Sequence, residues 1–222
     1  MWQQNISPAA IKKDWCILSW AATWFESGKI VSDILTPIEA KNRNDKRIVK
    51  NLWTLLDRAD VVIAHNGKRF DIRKVNARFY EYRIKPPRSY KVIDTYQQSK
   101  SVFGFTFQKQ DWISQIGDEP RKLPTDLQLW IDCDEGKKAA LKRMREYNEG
   151  DVIGLEANYK RLRPYMRTHP DLALYAEQRK IKCPYCLGEL KRVGVFYSAR
   201  KKYYEYRCKA CGGVSHDTRA IK

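Results

Sequence analysis

The chain has 222 residues, with 43 Lys and Arg against 26 Asp and Glu, a formal net charge of +17. Apolar residues at 43% and aromatics at 12% exclude a disordered or collagen-like chain, and the length suits one domain with a small appendage. No apolar run approaches the roughly 18–20 residues of a membrane span, and Met1-Trp2-Gln3-Gln4-Asn5 lacks the features of a secretory signal, so a cytoplasmic protein with no membrane partner is expected.

Ile17 to Phe25 and Lys29 to Leu35 are apolar runs separated by the turn residues Glu26-Ser27-Gly28, which predicts a β-hairpin. Pro37 and Glu39 open a helix that the spacing of Ile48, Leu52, Leu55 and Leu56 carries onward. Val61 to Ala64 is a short β-branched strand of the kind covered on both faces, followed by a helix from about Asp71 to Tyr82 that Pro86-Pro87 ends. Tyr90 to Ile93 is another strand, ending at Asp94. Helical patterns follow at Thr95–Val102, Phe107–Ile116 and Lys137–Leu162. A hairpin followed by alternating strands and helices predicts an α/β sheet of mixed strand direction.

Four of the six cysteines form Cys183-Pro184-Tyr185-Cys186, then 21 residues, then Cys208-Lys209-Ala210-Cys211. Two Cys-x-x-Cys turns bring four soft thiolates to tetrahedral corners, the pattern of one structural Zn2+, with paired disulfides as the rival reading. The β-rich runs Leu190–Tyr197 and Tyr203–Arg207 lie between them, which is the zinc-ribbon layout. The expected boundary gives a first domain of residues 1–178 and a ribbon of 179–222. His216 lies beyond a ligand set that four sulfurs complete, and Cys16 and Cys133, alone in sequence, read as a core residue and an incidental thiol rather than as ligands.

The charge of +17 attracts polyanions. Cations alternate with rings in Arg78-Phe79-Tyr80-Glu81-Tyr82-Arg83 and Lys201-Lys202-Tyr203-Tyr204-Glu205-Tyr206-Arg207, so phosphates and bases both find partners. Nucleic acid is the expected partner. Two acids stand out by position. Asp71 lies just past the Val61–Ala64 strand, where ligands of such sheets bind. Asp151 shares a helix face with Tyr147 at i and i+4, a face that continues apolar through Leu155, Tyr159 and Leu162. Taken singly, Asp71 reads rather as a helix cap or first-turn acid, and Tyr147 with Asp151 as a solvent-side hydrogen bond.

Taken together, Ala64-His65-Asn66 with Phe70-Asp71, then Ile93-Asp94-Thr95, then Tyr147 with Asp151 resemble the DEDD 3′–5′ exonucleases of the ribonuclease H-like superfamily. The likeness is to the DnaQ-like subclass with a tyrosine in its third motif, and to stand-alone phage enzymes with a trailing zinc ribbon. It spans about residues 5 to 165. The resemblance implies a ribonuclease H-like mixed sheet flanked by helices, acting on DNA in the cytoplasm, that of the host if the gene is a phage's. It implies catalytic roles for Asp71, Tyr147 and Asp151, with Tyr147 orienting the attacking water. Asp71 and Asp151 would belong to a four-acid set for two Mg2+ or Mn2+ ions, which such sites hold roughly 3.5–4 Å apart. His65, Asn66 and Arg69 would lie beside the 3′-terminal nucleotide, and Asp94 would cap a strand end.

The family begins with a strand bearing Asp-x-Glu, and no Asp-x-Glu precedes Asp71 here. Trp24-Phe25-Glu26 is the nearest match, with Trp24 where the aspartate belongs. The fold needs three antiparallel strands before its first helix, and this sequence offers two. If those are the second and third, Glu26 is an exposed hairpin tip and the first strand lies upstream of Met1 or on a second chain. A decayed relative fits the same pattern. The alternative function is a binding protein that holds nucleic acid without cutting it. A further alternative has the ribbon docking on another protein.

Overall fold

The computed structural model describes residues 14–121, 123–175 and 182–221. Strands β1 (Ser19–Thr23) and β2 (Ile30–Ile34) form an antiparallel hairpin, Ser19 opposite Ile34 and Thr23 opposite Ile30. Glu26 sits exposed in its turn at φ 60°. Strands β3 (Val61–Ala64) and β4 (Lys91–Asp94) pair in parallel, Val61 opposite Lys91 and Ala64 opposite Asp94. Parallel pairing needs a crossover, which helix α3 (Asp71–Glu81) supplies. Among the described residues no hydrogen-bonded register joins β1–β2 to β3–β4. β3 was expected to be covered on both faces, yet all of β1 and β3 is only half-buried. A strand with a neighbour along one edge leaves its other edge and flanks accessible.

The single helix expected from Pro37 to Leu56 is two, α1 (Pro37–Lys41) and α2 (Lys46–Leu56). Thr36 and Glu39 form a capping box at the start of α1. The interruption has a long-range cause. Arg43 takes φ 51°, and Asp45 turns fully inward. There it accepts from the Ile17 amide at 2.8 Å, the Tyr82 hydroxyl at 2.5 Å and the Arg78 guanidinium. A buried carboxylate survives only with such partners.

Helices α4 (Thr95–Val102), α5 (Gln110–Gly117), α6 (Leu127–Asp134) and α7 (Lys138–Leu162) complete this part. The 25 residues of α7 extend about 37 Å and wall two cores. Near its start Leu141 and Met144 pack with Leu35, Ile48, Leu129 and Cys133. Near its end Tyr159 and Leu162 pack with Ile93, Ile113 and Met166. Val49, Leu56, Val75 and Phe79 form a third cluster between α2 and α3. Each such side chain removed from water contributes roughly 1.5–3 kcal/mol. Cys133 is fully buried, and Cys16 packs on the same cluster, so both serve packing.

The C-terminal part is an antiparallel sheet of β5 (Leu190–Tyr197), β6 (Lys202–Cys208) and β7 (Val214–His216), in that order. It leans on α7 through His169, whose Nε2 lies 2.8 Å from the Tyr159 hydroxyl and whose ring centroid is 5.2 Å from that of Tyr185. The Leu172 amide donates to the Pro184 carbonyl at 2.9 Å. The boundary expected at residues 178 and 179 lies outside the described residues. Among those described, no helix is long and apolar enough to cross a membrane.

Candidate functional site

The chain leaves β3 through His65-Asn66-Gly67, a reversal too tight for most residues. A Cβ on the buried Gly67 would lie 2.4 Å from the Ala64 Cβ, and Asn66 takes φ 63°. Asp94, at the parallel end of β4 and 2% exposed, holds this loop. Its carboxylate accepts from the amides of Asn66 at 2.9 Å and Lys68 at 3.1 Å. It also caps α4, accepting from Tyr96 at 3.1 Å and Gln97 at 3.3 Å. Four amides on one carboxylate make Asp94 a clamp between two loops, the strand-end role expected for it.

Asp71 stands exposed on the first turn of α3, its Oδ2 3.7 Å from the position of a Gly67 Cβ. Arg69 is exposed on the loop between them. His65 is half-buried and tied at both ring nitrogens, Nδ1 to the Thr95 hydroxyl and Nε2 to the Gln108 carbonyl, each at 2.9 Å. A carbonyl only accepts, so Nε2 carries a hydrogen. Two residues further on, the Gln110 side chain donates to the Asp151 carbonyl at 2.8 Å. Asn158, one to two turns further along α7, donates to the Ser114 hydroxyl at 2.8 Å. Gly154 permits this approach, since a Cβ there would lie 2.9 Å from the Pro120 carbonyl oxygen.

A continuous chain of contacts thus runs from the end of β3, through the 104–110 loop, to the turn of α7 that bears Asp151. On its other side that stretch of α7 is laced to the hairpin. Asn148 hydrogen-bonds Ser19, and Glu149 takes the Ser32 hydroxyl at 2.5 Å. Asp151 is half-buried. Tyr147, one turn earlier, packs against the Leu35–Met144 cluster. His65, Asn66 and Asp71 therefore gather at the strand ends, with Asp151 joined to them through Gln110 and Tyr147 set toward the core. A cleft of about 660 Å³ opens between the hairpin and residues Val152 to Arg161 of α7, and Asp151 is not among the residues that line it.

Thr95, Gln108 and Gln110 escaped the sequence reading, because a glutamine in a loop carries no pattern until its partners are known. Two polar atoms here ask for a ligand. The Asn66 Oδ1 and Gln108 Oε1 are buried with no hydrogen-bond partner among the described residues. Buried acceptors are nearly always satisfied, by protein groups, ordered water or a bound ion.

Among the described residues, one group of three or more Asp, Glu, His or Cys side chains converges closely enough to hold a metal ion: Cys183, Cys186, Cys208 and Cys211. Their sulfurs lie within 4.8 Å of one another, with Cys183 to Cys211 at 3.7 Å and Cys186 to Cys208 at 3.5 Å. Thiolates at about 2.3 Å from a tetrahedral centre sit about 3.8 Å apart, so the quartet fits a metal of zinc's kind and is too open for disulfides. Burial pushes the Cys183 thiol up. For Cys208 burial acts the same way, but the amides of Cys211 and Ala210, together with hydrogen bonds from the Cys186 and Cys183 thiols, outweigh it and hold the thiol at about 7. Asp71 and Asp151 carry the hard oxygens Mg2+ prefers, but neither belongs to a converging group of three or more such ligands among the described residues.

A family model described as the RNase_H superfamily matches residues 12–110. The matched stretch runs from before β1 to the start of α5 and contains His65, Asn66, Arg69, Asp71 and Asp94. It leaves Tyr147, Asp151 and the cysteine quartet outside. This region is therefore similar to the ribonuclease H-like superfamily, whose nuclease-type function and nucleic-acid substrates it points to. The mixed α/β architecture of small sheets and helices is consistent with that fold. No curated protein and no solved structure matches the chain.

Proposed function

We propose that the protein is a divalent-metal-dependent nuclease that removes nucleotides from the 3′ end of DNA, using Asp71 and Asp151 as metal-binding carboxylates. One observation carries the reading: the buried, unsatisfied amide oxygens of Asn66 and Gln108 belong to loops held at the carboxyl ends of the parallel strands, where α/β sheets bind ligands, Asn66 by Asp94 and Gln108 by His65. A terminal nucleotide has hydroxyl and amino donors to offer them. In this reading Asn66 and Arg69 receive that nucleotide, His65 shapes the pocket by holding Thr95 and Gln108, and Tyr147 sits beside the attacking water. The family match over residues 12–110 supports the reaction class.

Two carboxylates alone hold Mg2+ or Mn2+ weakly. We propose that a further strand bearing Asp-x-Glu lies between β1 and β3, supplied by a second chain. The half-buried β1 and β3, with no register between them, support a strand in that place. The cysteine quartet is read as one structural Zn2+ in a ribbon that helps grip the substrate.

The second reading is a protein that binds nucleic acid without cutting it, and it is favoured because neither Asp71 nor Asp151 belongs to a converging group of three or more such ligands among the described residues. The test incubates the full chain with 5′-labelled DNA at millimolar Mn2+, high enough to fill a weak site. Slow release of 3′ mononucleotides, abolished by Asp151→Ala, is the expected result. Salt-dependent binding without cleavage selects the second reading. Cleavage that survives Asp151→Ala overturns the site.

A further inference from the structure

Strand register places Phe196 opposite Tyr203, and His216 opposite Glu205 two positions along. Because side chains alternate between faces, all three rings stand on one face of the C-terminal sheet. The Phe196 and His216 rings stack at 4.5 Å between centroids and 5° between planes, with Tyr203 tilted against His216 at 5.5 Å. Gly194, opposite Glu205 on the same face, adds no side chain. Phe196 is 38% exposed and His216 is exposed, so the surface they form is open to solvent.

Cations bound this row at both ends. Lys191 and Arg207 pair across the strands on the same face, and both are exposed. Arg200, Lys201 and Lys202 crowd the hairpin tip, and none forms an ion pair among the described residues. Lys and Arg outnumber Asp and Glu nine to three between residues 182 and 221. Glu205 is the one acid among the paired residues of this face.

We infer that this face is a docking surface for single-stranded nucleic acid, one base continuing the Phe196–His216 stack while phosphates run toward Lys191 and Arg207 on one side and the hairpin tip on the other. The inference rests on the reading of the protein as one that acts on nucleic acid, and adds the strand state and the residues that grip it. Duplex bases already stack on each other and offer no free ring face, whereas the bases of a single strand do. The charge excess matches a polyanion rather than an acid-poor partner. None of these residues is a cysteine of the quartet or belongs to the Asp71–Asp151 site.

The test measures fluorescence anisotropy of a labelled twelve-nucleotide oligo-dT and of a hairpin duplex, using the zinc-loaded full chain without added Mg2+. Phe196→Leu keeps apolar bulk on the sheet but removes the ring, and His216→Ala removes the other half of the stack. Zinc content of each variant checks that the sheet remains folded. Each is expected to weaken oligo-dT binding about 5- to 150-fold, the worth of one stacked base, and to change duplex binding by much less. Folded variants that bind oligo-dT like the parent overturn the platform while leaving the nuclease reading standing. Equal losses on single strand and duplex overturn the strand preference. A parent chain that binds neither probe removes the reading beneath both. Platform-sensitive binding alongside failed Mn2+-dependent cleavage sinks the nuclease assignment alone.

Discussion

Replacing Asp94 by alanine tests whether the strand-end clamp, rather than a metal, gives that carboxylate its role. The structure allows the cost to be worked out. The Tyr96 and Gln97 amides lose their cap, worth about 1 kcal/mol. The Asn66 and Lys68 amides lose their partners in a site where Asp94 is 2% exposed, at about 1–2 kcal/mol each after partial access of water. The expected loss is therefore about 3–5 kcal/mol, a large share of the roughly 5–15 kcal/mol that holds a domain together. Asp94→Asn keeps one acceptor oxygen and is expected to recover part of it. Urea unfolding of the purified chain, with and without Mg2+, measures the loss. The same loss in both conditions fits a clamp. A change below about 1 kcal/mol without Mg2+ would refute the reasoning, because a metal ligand costs nothing when no metal is bound.

Other outcomes follow from the same structure. The full chain is expected to carry about one zinc, and stripping it with a strong chelator should expose β5 to β7 to proteolysis; a sheet still resistant after metal loss contradicts a structural ion. Burial lowers the pKa of His169 below its ordinary 6.5, where it packs on Tyr159 and Tyr185. The unfolded chain then takes up that proton first as pH falls, so stability is full above pH 6.5 and declines below it until the folded value is passed. His169→Gln should flatten this part of the curve, and an unchanged slope would show that the ring does not titrate in this way. Asp151→Ala should end Mn2+-dependent release of nucleotides while leaving salt-dependent binding in place.

Much of this architecture is legible in the sequence, for a physical reason. The hairpin, β3, β4 and α7 are set by local periodicity and turn residues. The cysteine quartet is set by two short spacings that need only a hairpin between them. What local pattern misses is what distant partners decide. The break between α1 and α2 exists because Asp45 answers Ile17, Arg78 and Tyr82, none of which lies within the helix it interrupts. Helix α6 is short and follows two prolines, and its signal is a single cap, Asp126, bonded to the Leu129 amide at 2.8 Å. Strand β7 has three residues, too few to alternate visibly. In the candidate site, Asp71 and Asp151 stand out by position. Gln108 and Gln110, which tie their two elements together, become recognisable only once the loop that carries them is folded.

The claim beneath this account is that a 3′ nucleotide lodges where β3, β4 and α7 come together. A DNA oligonucleotide with 4-thiothymidine at its 3′ terminus, irradiated on the full chain and mapped by mass spectrometry, reports that location. The account predicts crosslinks in the peptides containing His65 to Asp71 and Tyr147 to Asp151. Terminal crosslinks confined to the C-terminal sheet, with none at the strand ends, would contradict it.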